Sequence, residues 1–302
     1  MEIKLLKRLS QENGLSIAKL SSQLKVDSLT ILKHIGEINQ LEPELLINHN
    51  GQYFLKRQLE WLDQARIDAQ LRSHDLNYTI TLLDQTNSTN NYALNHISHY
   101  SERGLISCEW QYAGRGRFGR RWLSSIARDI TASIIRVFPA DYNLGVLPLL
   151  CAVAINRLLK DHKIRNQIKW PNDIYVAGSK VAGVLVENLV RQQHNHTVIG
   201  IGIDNFADFS RNQLLAELVI ALEKLLAEFE MFGFALLRRE WLDNCWHLNQ
   251  VLTIYQNEQE ICQGVHRDIS EQGELIIETA SGIQKFSSSS ISIKFASLES
   301  RT

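Results

Sequence analysis

Between Gly114 and Trp122 the chain reads Gly-Arg-Gly-Arg-Phe-Gly-Arg-Arg-Trp, four arginines and three glycines with no acid in nine residues. Such a stretch cannot neutralise itself and has little to bury, so it is expected to lie as a loop over an anion. Guanidinium groups clamp carboxylate or phosphate bidentately, and glycines let the backbone come close. Gly114, Gly116 and Gly119 also satisfy the GxGxxG spacing of dinucleotide-binding loops. That fold needs a crossover helix of about ten to twelve residues to return a parallel strand. The segment from Arg120 to Asp129 is too short and too polar to supply one. The loop therefore argues against a dinucleotide-binding, doubly wound parallel sheet. His266-Arg267-Asp268 invites a protein kinase reading, but Gly273 stands where the catalytic loop needs asparagine and no Asp-Phe-Gly follows.

Around this loop, β-prone runs cluster instead of alternating with helices: Tyr78 to Leu83, Leu105 to Trp110, Ile130 to Phe138, Val181 to Val186 and Val198 to Ile203. Helices are expected near Pro148 to Lys160 and Gln213 to Phe229. The fold class is accordingly α+β. At 302 residues and 44% apolar composition the chain can form two or three domains.

Residues 1–60 carry helical periodicity at Ile17 to Leu24 and Leu29 to Ile38, and a hairpin around Asn48-His49-Asn50-Gly51. Together they predict a winged helix-turn-helix. Residues 61–73 read as a linker helix, 74–247 as the main body, and 248–302 as a small β-barrel-like unit punctuated by Gly264, Gly273 and Gly282. Cys108, Cys151, Cys245 and Cys262 are widely spaced without CxxC, which predicts a reducing cytoplasm and no zinc site. No leader-like apolar run opens the chain, and the richest apolar stretch, Leu144 to Leu159, is broken by Pro148, Asn156 and Arg157, so no membrane span is expected.

Three other segments bear on the anion. Lys169-Trp170-Pro171-Asn172-Asp173 places a cation, a rigid turn, an amide and a carboxylate together, a set suited to phosphate and a divalent cation. Lys180 opens the strand Val181-Ala182-Gly183-Val184-Leu185-Val186-Glu187, whose glycine marks close approach. Ser88 or Thr89 would cap a helix running to Ile97.

In this order the segments resemble the biotin protein ligases, including the bifunctional bacterial kind that also represses the biotin operon. That family carries a GRGRxGRxW loop, matched at 114–122, a KWPND turn, matched at 169–173, and a K-[LV]-AG-[IV]-L-V-E strand, matched at 180–187. The resemblance covers nearly the whole chain. It implies a winged-helix N-terminal domain, a class II synthetase-like catalytic domain with a mixed sheet and an SH3-like C-terminal barrel. It implies that ATP and biotin are joined, with Mg2+, into biotinyl-adenylate, and that biotin passes to a lysine of the biotin carboxyl carrier protein of acetyl-CoA carboxylase. Carried over, the catalytic residues are Lys169, Arg115 and Lys180. Biotin would meet Ser88, Thr89, Gln111, Gly114, Arg115, Gly116, Arg117, Lys180 and Gly183. The nucleotide would meet Arg117, Arg120, Trp122, Asn172 and Asp204 or Asn205, and Asp173 would bind the metal. Two departures stand out: the DSTN segment reads Asn87-Ser88-Thr89-Asn90, and the GxGxN strand ends Gly200-Ile201-Gly202-Ile203-Asp204-Asn205, with acid at the asparagine position.

The same resemblance implies operator DNA as a partner, bound by an adenylate-loaded homodimer through Ser28, Thr30, Lys33 and His34. The electrostatic footprint is thin, with eight Lys/Arg against seven acids in residues 1–60. A lipoate protein ligase, or a ligand-sensing regulator without ligase activity, remains the alternative.

Overall fold

The computed structural model describes residues 1–43 and 45–295; the end of the expected C-terminal unit, 296–302, lies outside them. The chain opens with α1 (Glu2–Gln11), β1 (Leu15–Ser16), α2 (Ile17–Leu24) and α3 (Ser28–Leu41), followed by the hairpin β2 (Leu46–His49) and β3 (Gln52–Leu55). Ser16 caps α2, and Asp27 caps α3 by accepting the Thr30 amide at 2.9 Å. β1 adds to the hairpin to make a three-stranded sheet. Ile3, Leu6, Leu9, Leu20, Ile31, Ile35 and Ile38 recur at helical spacing and close a small core beneath it.

α4 (Gln64–Arg72) buries Ile67 and Leu71 in the core of the main body. Then come β4 (Thr79–Thr86), α5 (Thr89–Asn95), β5 (Arg103–Gln111), and the short pair β6 (Gly114–Arg115) and β7 (Arg121–Trp122). They are followed by β8 (Ile130–Pro139), α6 (Leu147–Asp161), β9 (Gln167–Lys169), β10 (Asp173–Val176), β11 (Ser179–Arg191), β12 (His194–Ile203), α7 (Arg211–Phe232) and α8 (Phe234–Asp243). The central sheet has seven strands in the order β4-β5-β8-β12-β11-β10-β9. Only β4 and β5 are parallel among these pairs, joined through α5. β5 meets β8 antiparallel, so the glycine loop between them has no parallel strand to return to. This is the mixed sheet of an α+β fold.

α6 and α7 cover one face of the sheet, and α6 is apolar nearly all round because it is buried between the sheet and α7. Five further strands, β13 (Val251–Gln256), β14 (Gln259–Ile269), β15 (Leu275–Thr279), β16 (Gly282–Phe286) and β17 (Ser292–Phe295), form an antiparallel sheet ordered β16-β15-β14-β13-β17. Its edge strands β16 and β17 are not paired with each other among the described residues. His266-Arg267-Asp268 lies on β14, in a strand and not in a loop. No described helix is long and apolar enough to cross a membrane.

Candidate active site

The strand β12 carries Gly200 and Gly202, two residues apart and so on one face of the sheet. Over them lies a cleft of about 170 Å³, open to solvent at its mouth. A Cβ on Gly200 would fall 2.3 Å from Asn90 Oδ1, and one on Gly202 would fall 2.2 Å from Trp122 Cε2. Glycine is required at both because a side chain and a ring already occupy the space above the strand.

The inner end of the cleft is polar and uncharged. Gln111, the last residue of β5, accepts the Thr89 amide at 2.8 Å and the Thr89 hydroxyl at 3.2 Å through Oε1. Ser133 Oγ on β8 lies 2.8 Å from Thr89 Oγ1 and 2.6 Å from Asn90 Oδ1, while the Asn90 amide donates to Glu187 at 2.8 Å and to the Leu185 carbonyl at 3.2 Å. Ser88 caps α5 by accepting from the Asn91 amide and also lines the cleft. All of these side chains except Glu187 are buried, so a polar ligand must replace hydrogen bonds they would otherwise keep.

The outer end is cationic. Arg115, Arg117, Arg120, Arg121, Lys169 and Lys180 line it, and Asp173 is the one acid among the described lining residues. Lys169 ends β9 and Asp173 begins β10, and the two are cross-strand partners about the Trp170–Pro171 turn. Two cations already hold acids: Arg115 donates to both Glu187 oxygens at 2.8 and 2.9 Å, and Lys180 sits 2.7 Å from Asp173. Lys180 Nζ also lies 5.5 Å from the Trp122 ring centre. Arg117 instead donates to the carbonyls of Ser288 and Ile291, tying the loop to the C-terminal sheet. Burial lowers the Arg117 guanidinium to about 10. Burial also lowers the Lys169 ammonium from its usual range, an effect Asp173 opposes. Phe118 at the tip has φ 56°, a left-handed conformation costing a bulky residue about 1–2 kcal/mol, and Gly119 follows at φ 72°.

Of the residues singled out in the sequence, Ser88, Thr89, Gln111, Arg115, Gly116, Arg117, Arg120, Trp122, Lys169, Asn172, Asp173, Lys180 and Gly183 meet in this cleft. Gly114 lies just outside the lining, packed under Gln111 and Trp122. The Asn172 amide donates to the Val184 carbonyl, bracing the turn against β11. Asp204 and Asn205 line an adjoining cavity that shares Gln111, Arg121 and Trp122 with the cleft. Asn205 uses both ends of its amide on Phe209, at 2.8 Å each, which leaves Asp204 facing the cavity. Burial and the nearby Asp129 raise the Asp204 carboxyl to about 6. Ser133 and Ser292 were not singled out in the sequence, and Asn90, Arg121 and Leu185 were quoted only as members of their segments, with no role of their own.

A single carboxylate among cations cannot cage a bare divalent ion. The donor set does fit magnesium delivered with a nucleotide, since that ion is commonly held by one or two carboxylates plus phosphate oxygens.

On α3, Ser28 and Lys33 are exposed, whereas Thr30 is committed to Asp27 and His34 lies 2.8 Å from both Glu2 and Glu37.

A mixed sheet bearing a neutral polar floor and a cationic mouth is the architecture of a site for a polar, anionic ligand, and the class of protein is a ligase. Residues 82–204 match the sequence model of the biotin/lipoate A/B protein ligase family and residues 247–294 that of the biotin protein ligase C-terminal domain, so the chain carries both domains. It is 28% identical to the bifunctional ligase/repressor BirA of Salmonella typhimurium over 92% of each chain. It is 26% identical to a biotin--[acetyl-CoA-carboxylase] ligase of Paracoccus denitrificans over 67% of this chain and 95% of that protein. The biotin protein ligase of Aquifex aeolicus, solved with biotin and ATP, shares the fold at a TM-score of 0.63 and 24% identity, over 72% of this chain and 99% of that one.

Proposed function

We propose that the cleft performs biotin protein ligation in two steps, and the observation that carries the reading is the neutral polar pocket continuous with a mouth of six cations. In the first step a biotin carboxylate oxygen attacks the ATP α-phosphorus and the bond to the β-phosphate oxygen breaks, giving biotinyl-adenylate and pyrophosphate. In the second, a neutral lysine amine of the acceptor attacks the acyl carbon, AMP leaves, and the amine loses a proton to solvent.

Ser88, Thr89 and Gln111 take the biotin head group, with Gly183 against the ligand. Lys169, Arg115 and Lys180 face the reacting carboxylate and phosphate, where preorganised cations offset the repulsion of two anions. Arg115 and Lys180 must first exchange Glu187 and Asp173 for the ligand, whereas the other cations of the mouth are not held by those two acids. Arg117 and Arg120 meet the triphosphate, Trp122 stacks near the adenine and Asn172 helps hold the nucleotide. Magnesium arriving with ATP would be held by Asp173 and would neutralise phosphate charge.

Two outcomes follow, one from the floor of the cleft and one from the cavity beside it. Gly202→Ala drives a methyl into the Trp122 ring. At an overpacking cost of about 1–3 kcal/mol, the ATP KM is expected to rise about tenfold or more with biotin affinity unchanged. Asp204→Asn removes a carboxylate whose folded pKa is raised to about 6. A raised acid contributes stability below its unfolded pKa and loses it as pH rises through the folded value, so the substitution should raise Tm at pH 7.5 and change it little at pH 4. An equal gain at both values would refute the assignment.

The acceptor is taken to be a biotin carboxyl carrier domain. The test is covalent label on that domain from radiolabelled biotin and ATP, with lipoate as competitor substrate. Lipoate labelling in place of biotin would make the chain a lipoate ligase, and no label from either would leave a sensor without ligase activity.

The N-terminal unit reads as a winged helix and the C-terminal sheet as an SH3-like unit, around a catalytic body at about 74–247. An adenylate-loaded homodimer is proposed to bind operator DNA in the cytoplasm, through the exposed face of α3 carrying Ser28 and Lys33. Retardation of the protein's own biotin-gene promoter that strengthens with biotinyl-adenylate is the expected result.

A further inference from the structure

Behind the Lys169 turn, where the central sheet meets the C-terminal sheet, three side chains converge that the reaction does not use. Cys245 Sγ lies 3.6 Å from His247 Nδ1 and 3.8 Å from His266 Nδ1, and the two Nδ1 atoms are 3.1 Å apart. Both rings are wholly buried. Donor spacings like these would suit a tetrahedral metal ion, whose ligands stand about 2.0–2.3 Å from it. The outward nitrogens decide otherwise.

The segment 244–247 runs beside β9 as a short parallel ladder. The Ile168 amide donates to the Asn244 carbonyl at 2.8 Å, and the Trp246 amide donates to the Ile168 carbonyl at 2.9 Å. The next rung is a side chain: the Trp170 amide donates to His247 Nε2 at 2.9 Å. An Nε2 that accepts carries no proton, so the proton of neutral His247 is on Nδ1. His266 Nε2 faces the Asp268 carbonyl at 3.0 Å and must donate there, which leaves His266 Nδ1 bare. The two rings thus form one directed chain, from the Trp170 amide through His247 and His266 to Asp268. A metal on His247 Nδ1 would move that proton to Nε2 and set two N–H groups against each other.

We propose that His247 is a positioning residue for Lys169, its Nδ1–H tautomer held by His266 so that Nε2 takes the Trp170 amide and sets how Lys169 leaves its turn. Burial keeps both rings neutral, pushing His266 down to about 4 and His247 well below the usual histidine range. The charged groups around them agree: Lys169 disfavours protonation of His247, while Asp268, which favours it on His266, is itself paired with Arg238 on α8. The Trp241 and Phe295 rings supply apolar contact. The Trp170 indole donates to the Gly273 carbonyl at 3.2 Å, so this residue is held through its ring by the turn between β14 and β15 and through its amide by His247.

The inference rests on the role of Lys169 proposed above, and its test separates the two. In nitrogen-15 spectra of the full-length protein at pH 6–8, two neutral rings of opposite tautomer are expected, assigned by their loss in His247→Gln and His266→Gln. Two rings of one tautomer, or stoichiometric zinc bound by the full-length protein and lost in His247→Gln, would overturn it. That reading needs no catalysis, so a wild-type protein that makes no adenylate would sink the proposed function alone. In pyrophosphate release, His247→Gln, whose amide oxygen can reach the Trp170 amide, should stay near wild type. His247→Phe should lose about a hundredfold in kcat with the biotin KM unchanged, the scale of an ångström's misplacement. Equal losses in Gln and Phe, or a biotin KM rising in step, would make His247 a core residue only. If the Phe variant fails to fold, the tautomer spectrum and the Gln variant's kcat decide the matter.

Discussion

Lys169→Ala is expected to reduce biotin-dependent pyrophosphate release about a hundredfold while leaving biotin binding and Tm nearly unchanged. Loss of one preorganised donor facing developing charge costs about 3 kcal/mol of barrier, and a half-buried ammonium facing the proposed phosphate belongs to that class. The fold tolerates the change for a reason visible in the site. Asp173 lies opposite Lys169 but keeps Lys180 at 2.7 Å, so removing Lys169 strands no acid. The lysine also gives up solvation to sit where it does, since burial lowers its pKa, and truncation relieves that cost. Lys169→Arg should not rescue the rate, because a planar fork cannot take the place of a compact ammonium at a single point. Pyrophosphate release at the wild-type rate in the alanine variant would remove Lys169 from the chemistry altogether.

Arg211→Met is expected to destabilise the protein by about 3–5 kcal/mol, the usual result of taking one partner from a buried ion pair. Arg211 opens α7, is 1% exposed, and donates to Glu109 at 2.5 Å and to the Glu60 carbonyl at 2.7 Å. Its amide is taken by the Glu60 carboxylate. One side chain therefore joins α7 to β5 and to the segment arriving from the N-terminal unit. Glu109 is 4% exposed, and without Arg211 its charge would keep only the Leu62 amide at 2.8 Å. Adding Glu109→Gln should recover part of the loss, because the orphaned charge is gone. Denaturant titration of the single and double variants measures this; a double variant no more stable than Arg211→Met would show that the charge is not what costs.

The loop's chemistry, the turn and the lysine strand were legible because each is contiguous, and the reason for each is local. Helices α6 and α7 and strands β4, β5, β8, β11 and β12 were legible from periodicity for the same reason, whereas α8, β9 and β10 were not singled out. β9 is three residues and β10 four, too short to show a period. The parallel pairing of β4 with β5 was not legible either, since strand direction is set by the α5 connection and leaves no trace in alternation.

What the sequence by itself determined is the chemistry on offer: an acid-free arginine loop that expects an anion, a lysine and an aspartate bracketing a tight turn, and a strand whose glycine marks close approach. Only the tertiary structure decided the partners. Glu187 is 72 residues from the Arg115 it holds, the Ser288 and Ile291 carbonyls that take Arg117 lie more than 170 residues away, and Asn205 is spent on its own loop. Cys245, His247 and His266, scattered in the chain, meet behind the turn. Residue type and short spacing are set along the backbone, but which acid meets which cation depends on strand register and on how two sheets abut, and those are settled only when distant segments bury the same core.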